Sequence, residues 1–257
     1  MNKHQRIAEQ FAVSWSSQPA YETLSGELAL HSLEEAYKAQ AEVQRAYERV
    51  RGPLAGRKIA LASKTMQEFC GIDHPVAGGF FAGDVHDSPA KVAKNGFRNM
   101  GLEFELALQL GEAPDPSREY DSESIRALVS GARAAFEIVD DGGADYSAFD
   151  LRTMVANNAW NGAVILGGDV PDWSDRSLDE LPARLSQDGE ADAFATSGDA
   201  DPLGSLAFVV NQVSSTGGRV QAGEWVITGS VLQTRFPSVG DHFVYDIAGA
   251  KVELTVV

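Results

Sequence analysis

The chain has 257 residues, of which 44% are hydrophobic, and its formal net charge is -16. A surface of this charge repels phosphate backbones and anionic membranes, which argues against a nucleic-acid or membrane-surface function. The single cysteine, Cys70, excludes an intramolecular disulfide and a multi-cysteine zinc site. With no apparent signal peptide or membrane span, we expect a cytoplasmic protein.

Helical patterns occupy the beginning of the chain. Apolar residues recur every four positions over 3–15, which predicts an amphipathic helix. Ser32 and Glu35 form a capping-box pattern that opens a second helix, predicted to run to about Val50 and to stop at Gly52-Pro53. Residues 1–55 are therefore expected to form a helical N-terminal cap.

Beyond this point the pattern changes to short strands separated by Gly, Pro and Asp, so residues 56–257 are expected to form a β-rich body. Two more helices are predicted at Ser122–Arg133 and Leu203–Val213, and a mobile loop or irregular sheet edge at 186–201. Strands and helices do not alternate strictly, which indicates an α+β fold. The predicted strands are Arg57–Ala62, Leu102–Leu110, Ala135–Val139, Ala163–Leu166, Trp225–Thr228, His242–Asp246 and Val252–Val257.

Two acids lie one residue apart in the apolar strand Leu102–Leu110. Strand alternation places Glu103 and Glu105 on the same face, with Cα atoms about 6.6 Å apart at about 3.3 Å per residue. Two like charges held so close repel each other unless a cation lies between them, and a hard divalent cation is the simplest candidate. The alternative is a half-solvated strand whose wet face carries two acids, which is a common arrangement in antiparallel sheets.

Other candidate residues lie on neighbouring strands. Glu137 and Asp140 cannot both face one ion in a regular strand, but a strand end near Val139 would free Asp140, so both remain candidates. Lys58 shares a strand face with small apolar residues. There, partial desolvation would lower its pKa and permit proton transfer, unless its head group lies in water at a strand edge.

An ordered series of segments resembles the fumarylacetoacetate hydrolase superfamily, and within it the 2-keto-4-pentenoate hydratase branch. The similarity extends roughly from Leu33 to the C-terminus and depends on the order and spacing of the segments. Those segments are Ala-Tyr-Lys-Ala-Gln at 36–40, Gly-Arg-Lys-Ile-Ala-Leu at 56–61, Ser-Lys-Thr-Met-Gln at 63–67, Gly-Ile-Asp-His-Pro at 71–75, Glu-Phe-Glu at 103–105, Phe-Glu-Ile-Val-Asp at 136–140, Val-Ala-Asn-Asn-Ala at 155–159 and Ala-Gly-Glu-Trp-Val-Ile-Thr-Gly-Ser at 222–230.

The resemblance implies a mixed β-sandwich roll with a helical N-terminal cap, a homo-oligomer, bound Mg²⁺ or Mn²⁺ and a small anionic 2-oxo or 2-hydroxydienoic acid as substrate. By position it makes Glu103, Glu105 and Glu137 the metal ligands and Lys58 the acid/base residue, with Asp73 as a second catalytic candidate. Substrate contacts are implied for Ser63, Asn158, Ser230 and Asp140.

The chain departs from the pattern of its relatives at two positions. Val76 stands where relatives often carry a second acid, and Asp140-Asp141-Gly142 lacks the arginine that commonly follows the third ligand strand. The metal site therefore looks intact, whereas the substrate site looks altered.

The resemblance implies a hydratase that adds water to a 2-hydroxy-2,4-dienoate. Three alternatives remain: a decarboxylase of a 2-oxo-3-enedioate, an acylpyruvate hydrolase, and a non-catalytic relative that binds an oxo acid. The hydrolase branch uses a His–Glu pair, and the matching spacing here, His31 with Glu34, lies in the wrong segment for it.

Overall fold

The computed structural model describes residues 1–257, the side chain of Ser16 excepted. Its α-helices are α1 (Lys3–Ser14), α2 (Leu33–Arg51), α3 (Lys64–Phe69), α4 (Ser122–Arg126), α5 (Leu151–Ala156) and α6 (Pro202–Ser215). Its strands are β1 (Leu54–Ala60), β2 (Val76–Phe81), β3 (Val85–Asp87), β4 (Ala90–Val92), β5 (Met100–Leu110), β6 (Val129–Asp140), β7 (Asn161–Asp169), β8 (Pro182–Gln187), β9 (Ala193–Thr196), β10 (Trp225–Ser230), β11 (His242–Ile247) and β12 (Ala250–Val256).

The strands form two mixed sheets. One has seven strands in the order β2-β1-β10-β5-β6-β7-β3, and the other has five in the order β4-β12-β11-β8-β9. The larger sheet curls until β2 contacts β7, which makes it a roll with an inner and an outer face. The α+β class and the mixed-sheet roll with helices at its N-terminus are therefore confirmed.

Aromatic side chains join the outer face of the roll to the smaller sheet. The Phe104 ring lies 5.9 Å from that of Tyr245 and 5.7 Å from that of Phe136, measured between centroids. All three side chains are fully buried. Because side chains alternate along a strand, packing Phe104 and Phe136 outward turns their neighbours Glu103, Glu105 and Glu137 to the inner face.

The two N-terminal helices begin at the predicted positions. Ser32 caps α2 by accepting a hydrogen bond from the Glu35 N–H, but Glu35 does not complete the capping box. Its two carboxylate oxygens instead accept from the His31 N–H and from Lys3 Nζ, each at 2.8 Å. Glu35 thereby joins α1 to α2. Within the described part of the chain, no helix combines the length and apolar character needed to cross a bilayer.

One predicted helix is wrong. The predicted helix Ser122–Arg133 ends at Arg126, and β6 begins at Val129. Residues 129–140 pair with β5 over nearly its whole length, so sheet hydrogen bonding overrides the local helical pattern. The predicted helix at 203–213 is confirmed by α6. Of the two predictions for 186–201, a mobile loop or a sheet edge, the sheet edge is confirmed, because β9 is the outermost strand of the five-stranded sheet.

Candidate metal centre and active site

Three glutamates meet on the inner face of the roll. Glu103 on β5 lies directly opposite Glu137 on β6 in the antiparallel register, and Glu105 follows on the same face. One carboxylate oxygen from each lies within 4.8 Å of the other two. Glu105 and Glu137 are fully buried and Glu103 is half-buried. Like charges directly opposite one another destabilise a sheet, so this arrangement requires either a nearby cation or proton uptake by the carboxylates.

The hydrogen bonding of Glu105 leaves one oxygen free. Its Oε2 accepts from the Gly229 N–H at 2.6 Å, while Oε1 is buried without a hydrogen-bond partner among the described residues. Burial, together with the Glu137 and Glu103 charges, raises the pKa of Glu105 well above its ordinary value. An unpartnered buried carboxylate oxygen beside two others fits a hard divalent cation such as Mg²⁺ or Mn²⁺, which binds carboxylate oxygens.

Lys58 reaches this cluster from β1, on the opposite side of the roll. Its Nζ lies 3.0 Å from Glu137 Oε2, and 1% of the side chain is exposed. Burial lowers the pKa of Lys58, but attraction to the three carboxylates outweighs this and leaves the pKa above its ordinary value. The prediction that Lys58 is shielded from water is confirmed. The predicted fall in its pKa is wrong for the protein without bound metal, because the neighbouring carboxylates raise the pKa by more than burial lowers it.

A second contact fixes the lysine from the side of α5. Lys58 Nζ donates to the Ala159 carbonyl at 3.2 Å. Ala159 lies between Asn158 and Trp160, and all three residues have positive φ angles of 50–59°. Left-handed conformations are costly for residues other than glycine, and they persist only where the surrounding structure holds them. This buried turn, residues 158–160, therefore acts as a rigid support that directs a carbonyl at the ammonium group.

Asn158 holds the turn in place. Its Oδ1 accepts from the Gly79 N–H at 2.9 Å, and its Nδ2 donates to the Gly79 carbonyl at 2.6 Å. Gln44 donates to the same Oδ1 at 2.9 Å. The side chain is fully buried, so in this conformation its amide stabilises the backbone beside the lysine.

The other predicted site residues lie around the cluster. Ser63 is the exposed N-cap of α3, and Asp73 is exposed, with a carboxylate that forms no hydrogen bond or ion pair in the described part of the chain. Ser230 Oγ accepts from the Phe104 N–H and donates to the Leu232 carbonyl, joining β10 to β5. Asp140 accepts from the Arg98, Asn99 and Gly142 N–H groups.

Both departures from the pattern of relatives have a local structural role. Val76 is fully buried and pairs with Ala60 at the end of β1. Asp141, in the segment that lacks the arginine, is 2% exposed and accepts from Asn99, Gly143 and Tyr146. This segment therefore builds a closed turn at the end of β6.

Three further groups contact the glutamates and were not predicted from the sequence. Asn161 Nδ2 donates to Glu137 Oε1 at 2.9 Å, Thr234 Oγ1 donates to Glu103 Oε1 at 3.1 Å, and the Gly229 N–H binds Glu105. Asn161 could have been suspected, because it closes the Asn-rich stretch 157–161 just before a predicted strand. Nothing in the local pattern around Thr234 distinguishes it from an ordinary turn residue.

Comparisons with known proteins identify the relatives. No protein-family model matches the chain. The chain is 30% identical to 2-keto-4-pentenoate hydratase 1 of Dechloromonas aromatica over 229 residues, which cover 88% of this chain and 86% of the relative. It is 25% identical to 4-oxalocrotonate decarboxylase of Pseudomonas putida over 219 residues, covering 84% and 81% of the two chains.

A solved structure shares the fold over almost the whole chain. It is the 4-oxalocrotonate decarboxylase from Pseudomonas putida G7, complexed with magnesium and adipate. The TM-score is 0.90 at 19% sequence identity, and the match covers 99% of this chain and 97% of the other. With the 30% identical relative, these findings show that the chain is a member of the 2-keto-4-pentenoate hydratase branch of the fumarylacetoacetate hydrolase superfamily of enzymes.

Proposed function

We propose that this protein is a metal-dependent hydro-lyase that adds water to a small anionic 2-hydroxy-2,4-dienoate and forms a 4-hydroxy-2-oxo acid. The observation that carries the proposal is the buried group of Lys58 and three carboxylates, in which one oxygen of Glu105 has no protein partner among the described residues. The relationship to a 2-keto-4-pentenoate hydratase supports the choice of reaction.

The ligand set we propose is Glu103, Glu105 and Glu137. A divalent cation held there would act as a Lewis acid, stabilising negative charge that develops on the oxygens of a 2-oxo acid. It would also attract an anionic substrate to a protein whose net charge of -16 otherwise repels one.

Lys58 is the proposed acid/base residue. Conversion of the dienol to the ketone moves a proton from the 2-hydroxyl oxygen to the terminal carbon, and water then adds hydroxyl to C4 and a proton to C3. Lys58 Nζ is the one lysine nitrogen in contact with the glutamate cluster in the described part of the chain, and it would carry these protons. Its pKa, raised by the carboxylates, makes it a proton donor before metal is bound.

The remaining assignments complete the proposal. Asp73 is proposed as a second catalytic candidate, and Ser63, Asn158, Ser230 and Asp140 as candidate substrate contacts. Of these, the buried Asn158 would have to exchange its present hydrogen bonds to reach a substrate. The proposal places the enzyme in the cytoplasm as a homo-oligomer, and sedimentation velocity tests the assembly.

Decarboxylation of a 2-oxo-3-enedioate is the second candidate reaction, because a decarboxylase is among the sequence relatives.

The test is turnover of 2-hydroxypenta-2,4-dienoate with Mg²⁺. We expect the dienol absorbance to fall, the product to be the 4-hydroxy-2-oxo acid, and a chelator to stop the reaction. Release of CO₂ from an enedioate without hydration of the dienoate would instead establish the decarboxylase. Tight binding of oxalate without turnover of either substrate would favour a non-catalytic relative.

Two variants test the residue roles. Lys58→Met should lower kcat by at least about a hundredfold, in line with the usual contribution of an acid/base group, while Mn²⁺ still binds. Lys251→Met, at an exposed lysine on β12, is the matched control and should keep wild-type activity. Glu105→Ala should lose Mn²⁺ binding by calorimetry. An active Lys58→Met enzyme, or unchanged Mn²⁺ binding in Glu105→Ala, would refute the corresponding role.

A further inference from the structure

Helix α2 carries a row of polar side chains on the face that packs against the body. Tyr37, Gln40, Gln44, Tyr47 and Arg51 are spaced three or four residues apart, which places them on one side of the helix. We call them the α2 polar face. Each takes part in a hydrogen bond beyond its own helix; the partners are the Ala77 N–H for Tyr37, the Ala77 and Val155 carbonyls for Gln40, Asn158 for Gln44, Asn157 for Tyr47, and Asn161 with the Gly162 carbonyl for Arg51.

Arg51 is the most tightly held member of this face. Its side chain is 0% exposed and forms an ion pair with Asp84 at 2.5 Å. The guanidinium carbon lies 3.9 Å from the ring centroid of Trp15 and 4.6 Å from that of Phe81. A buried charge is costly unless it is paired, and stacking on aromatic faces further restricts the planar group. Arg51 is therefore fixed in both position and orientation.

The guanidinium determines which way the Asn161 amide faces. Arg51 Nη2 donates to Asn161 Oδ1 at 3.0 Å and to the Gly162 carbonyl at 2.8 Å. Because arginine has only donors, the amide must present its oxygen to Arg51. The opposite side of the amide, Nδ2, then donates to Glu137 Oε1 at 2.9 Å.

The hydrogen bond from Asn161 Nδ2 also orients the carboxylate of Glu137. With Oε1 engaged by Asn161, Oε2 is the oxygen that faces Lys58 Nζ, at 3.0 Å. A flipped amide would place its oxygen against Oε1, and two acceptors would then repel each other. The direction of the Asn161 amide thus fixes the orientation in which the Glu137 carboxylate meets the rest of the cluster.

We propose that Arg51 is a positioning residue, which acts through Asn161 to hold Glu137 in the orientation that binds metal. The inference rests on the proposed function, because it takes Glu137 as a metal ligand. Groups that orient metal ligands commonly change metal affinity by about 10- to 100-fold when they are removed.

The test compares Mn²⁺ affinity, measured by electron paramagnetic resonance, in wild type, Arg51→Met, Asn161→Leu and the double variant. We expect about tenfold weaker binding in each single variant, and a double variant no weaker than Asn161→Leu, because Arg51 acts through Asn161. Arg49→Met is the matched control. That arginine also lies near the end of α2 but is exposed and pairs with Glu9, so affinity should not change.

Two results would overturn the inference: wild-type Mn²⁺ affinity in folded Arg51→Met, or losses that add up fully in the double variant. If Arg51→Met does not fold, Asn161→Asp takes its place. It keeps an acceptor for Arg51 but cannot donate to Glu137, so it should bind Mn²⁺ more weakly, and unchanged affinity would refute the chain of contacts. Absence of Mn²⁺ binding by wild type would overturn the proposed metal site as well, whereas binding unaffected by these substitutions would overturn only this inference.

Discussion

At the scale of single residues, the site contains two buried glutamates, Glu105 and Glu137, whose pKa values are raised by burial and by neighbouring carboxylate charges. The alternation of β5 placed Glu103 and Glu105 on one face from sequence alone. The position of Glu137 opposite Glu103 depends on strand register, which is fixed by pairing between distant segments and cannot be read from a local pattern. For the same reason the sign of the Lys58 pKa shift could not be foreseen.

Glu137 should release a proton when metal binds. Burial raises the pKa of Glu137 from 4.5 to about 7, so the metal-free folded protein holds a proton there that the unfolded chain has lost. Binding of this proton therefore adds to the free energy of unfolding at low pH, and that contribution is lost as the pH rises from 4.5 through about 7. We expect calorimetry in buffers of different ionisation heat to show more proton release on Mn²⁺ binding near about pH 6 than near about pH 8.5. Equal release at both values would contradict the shift.

At the scale of elements, the three longest helices and long strands such as β5 were predicted well, whereas the short helices α3 and α5 and the strands β2, β3, β4 and β8 were not predicted. Strand β2 was missed because Gly78-Gly79 reads as a turn. A Cβ on Gly78 would come within 2.9 Å of the Asn158 carbonyl oxygen and 3.2 Å of Lys58 Cγ, so this glycine leaves room for the lysine stem. The helix predicted over 122–133 failed because pairing with β5 decides the conformation of its second half.

A glycine on β10 offers a test at this scale. Gly229 has φ +102°, and a Cβ there would meet Ala62 Cβ at 3.0 Å. Gly229→Ala should lower the free energy of unfolding by at least about 2 kcal/mol, through backbone strain and crowding, and should weaken Mn²⁺ binding because its N–H orients Glu105.

Gly223→Ala is the control for backbone strain alone. That glycine has φ +87° with no atom within 4 Å of the added Cβ, so we expect a loss of about 1 kcal/mol in urea unfolding and unchanged Mn²⁺ affinity. Equal effects of the two substitutions on metal binding would show that the Gly229 N–H does not support Glu105.

At the scale of the whole molecule, the net charge of -16 should oppose the approach of an anionic substrate. Raising ionic strength from about 0.01 M to about 0.15 M shortens the screening length from about 30 Å to about 8 Å. With the metal site saturated throughout, we expect KM for the dienoate to fall while kcat stays constant. Steady-state kinetics at several salt concentrations would check this, and a KM that rises with salt would indicate a positive local field at the site entrance.

The class of the fold and the shared face of Glu103 and Glu105 followed from the sequence pattern, and the resemblance added Glu137, but the contacts of helix α2 were not predicted. Gln, Tyr and Arg at helical spacing are equally typical of a solvent-facing surface, and only the tertiary structure shows that they meet the segment 155–162. These hydrogen bonds join α2 to the segment that contacts Lys58 and Glu137.

The α2 polar face has a consequence for engineering. A chimaera that joins the first 55 residues of a relative to this body would keep these hydrogen bonds only if the new helix also carries Gln, Tyr and Arg at positions 44, 47 and 51, even if its apolar surfaces fitted well. A relative with other side chains at these positions would have to contribute residues 155–162 as well. Motions that admit substrate should likewise occur in segments other than α2, because hydrogen bonds hold this helix to residues 157–161, beside the glutamate cluster.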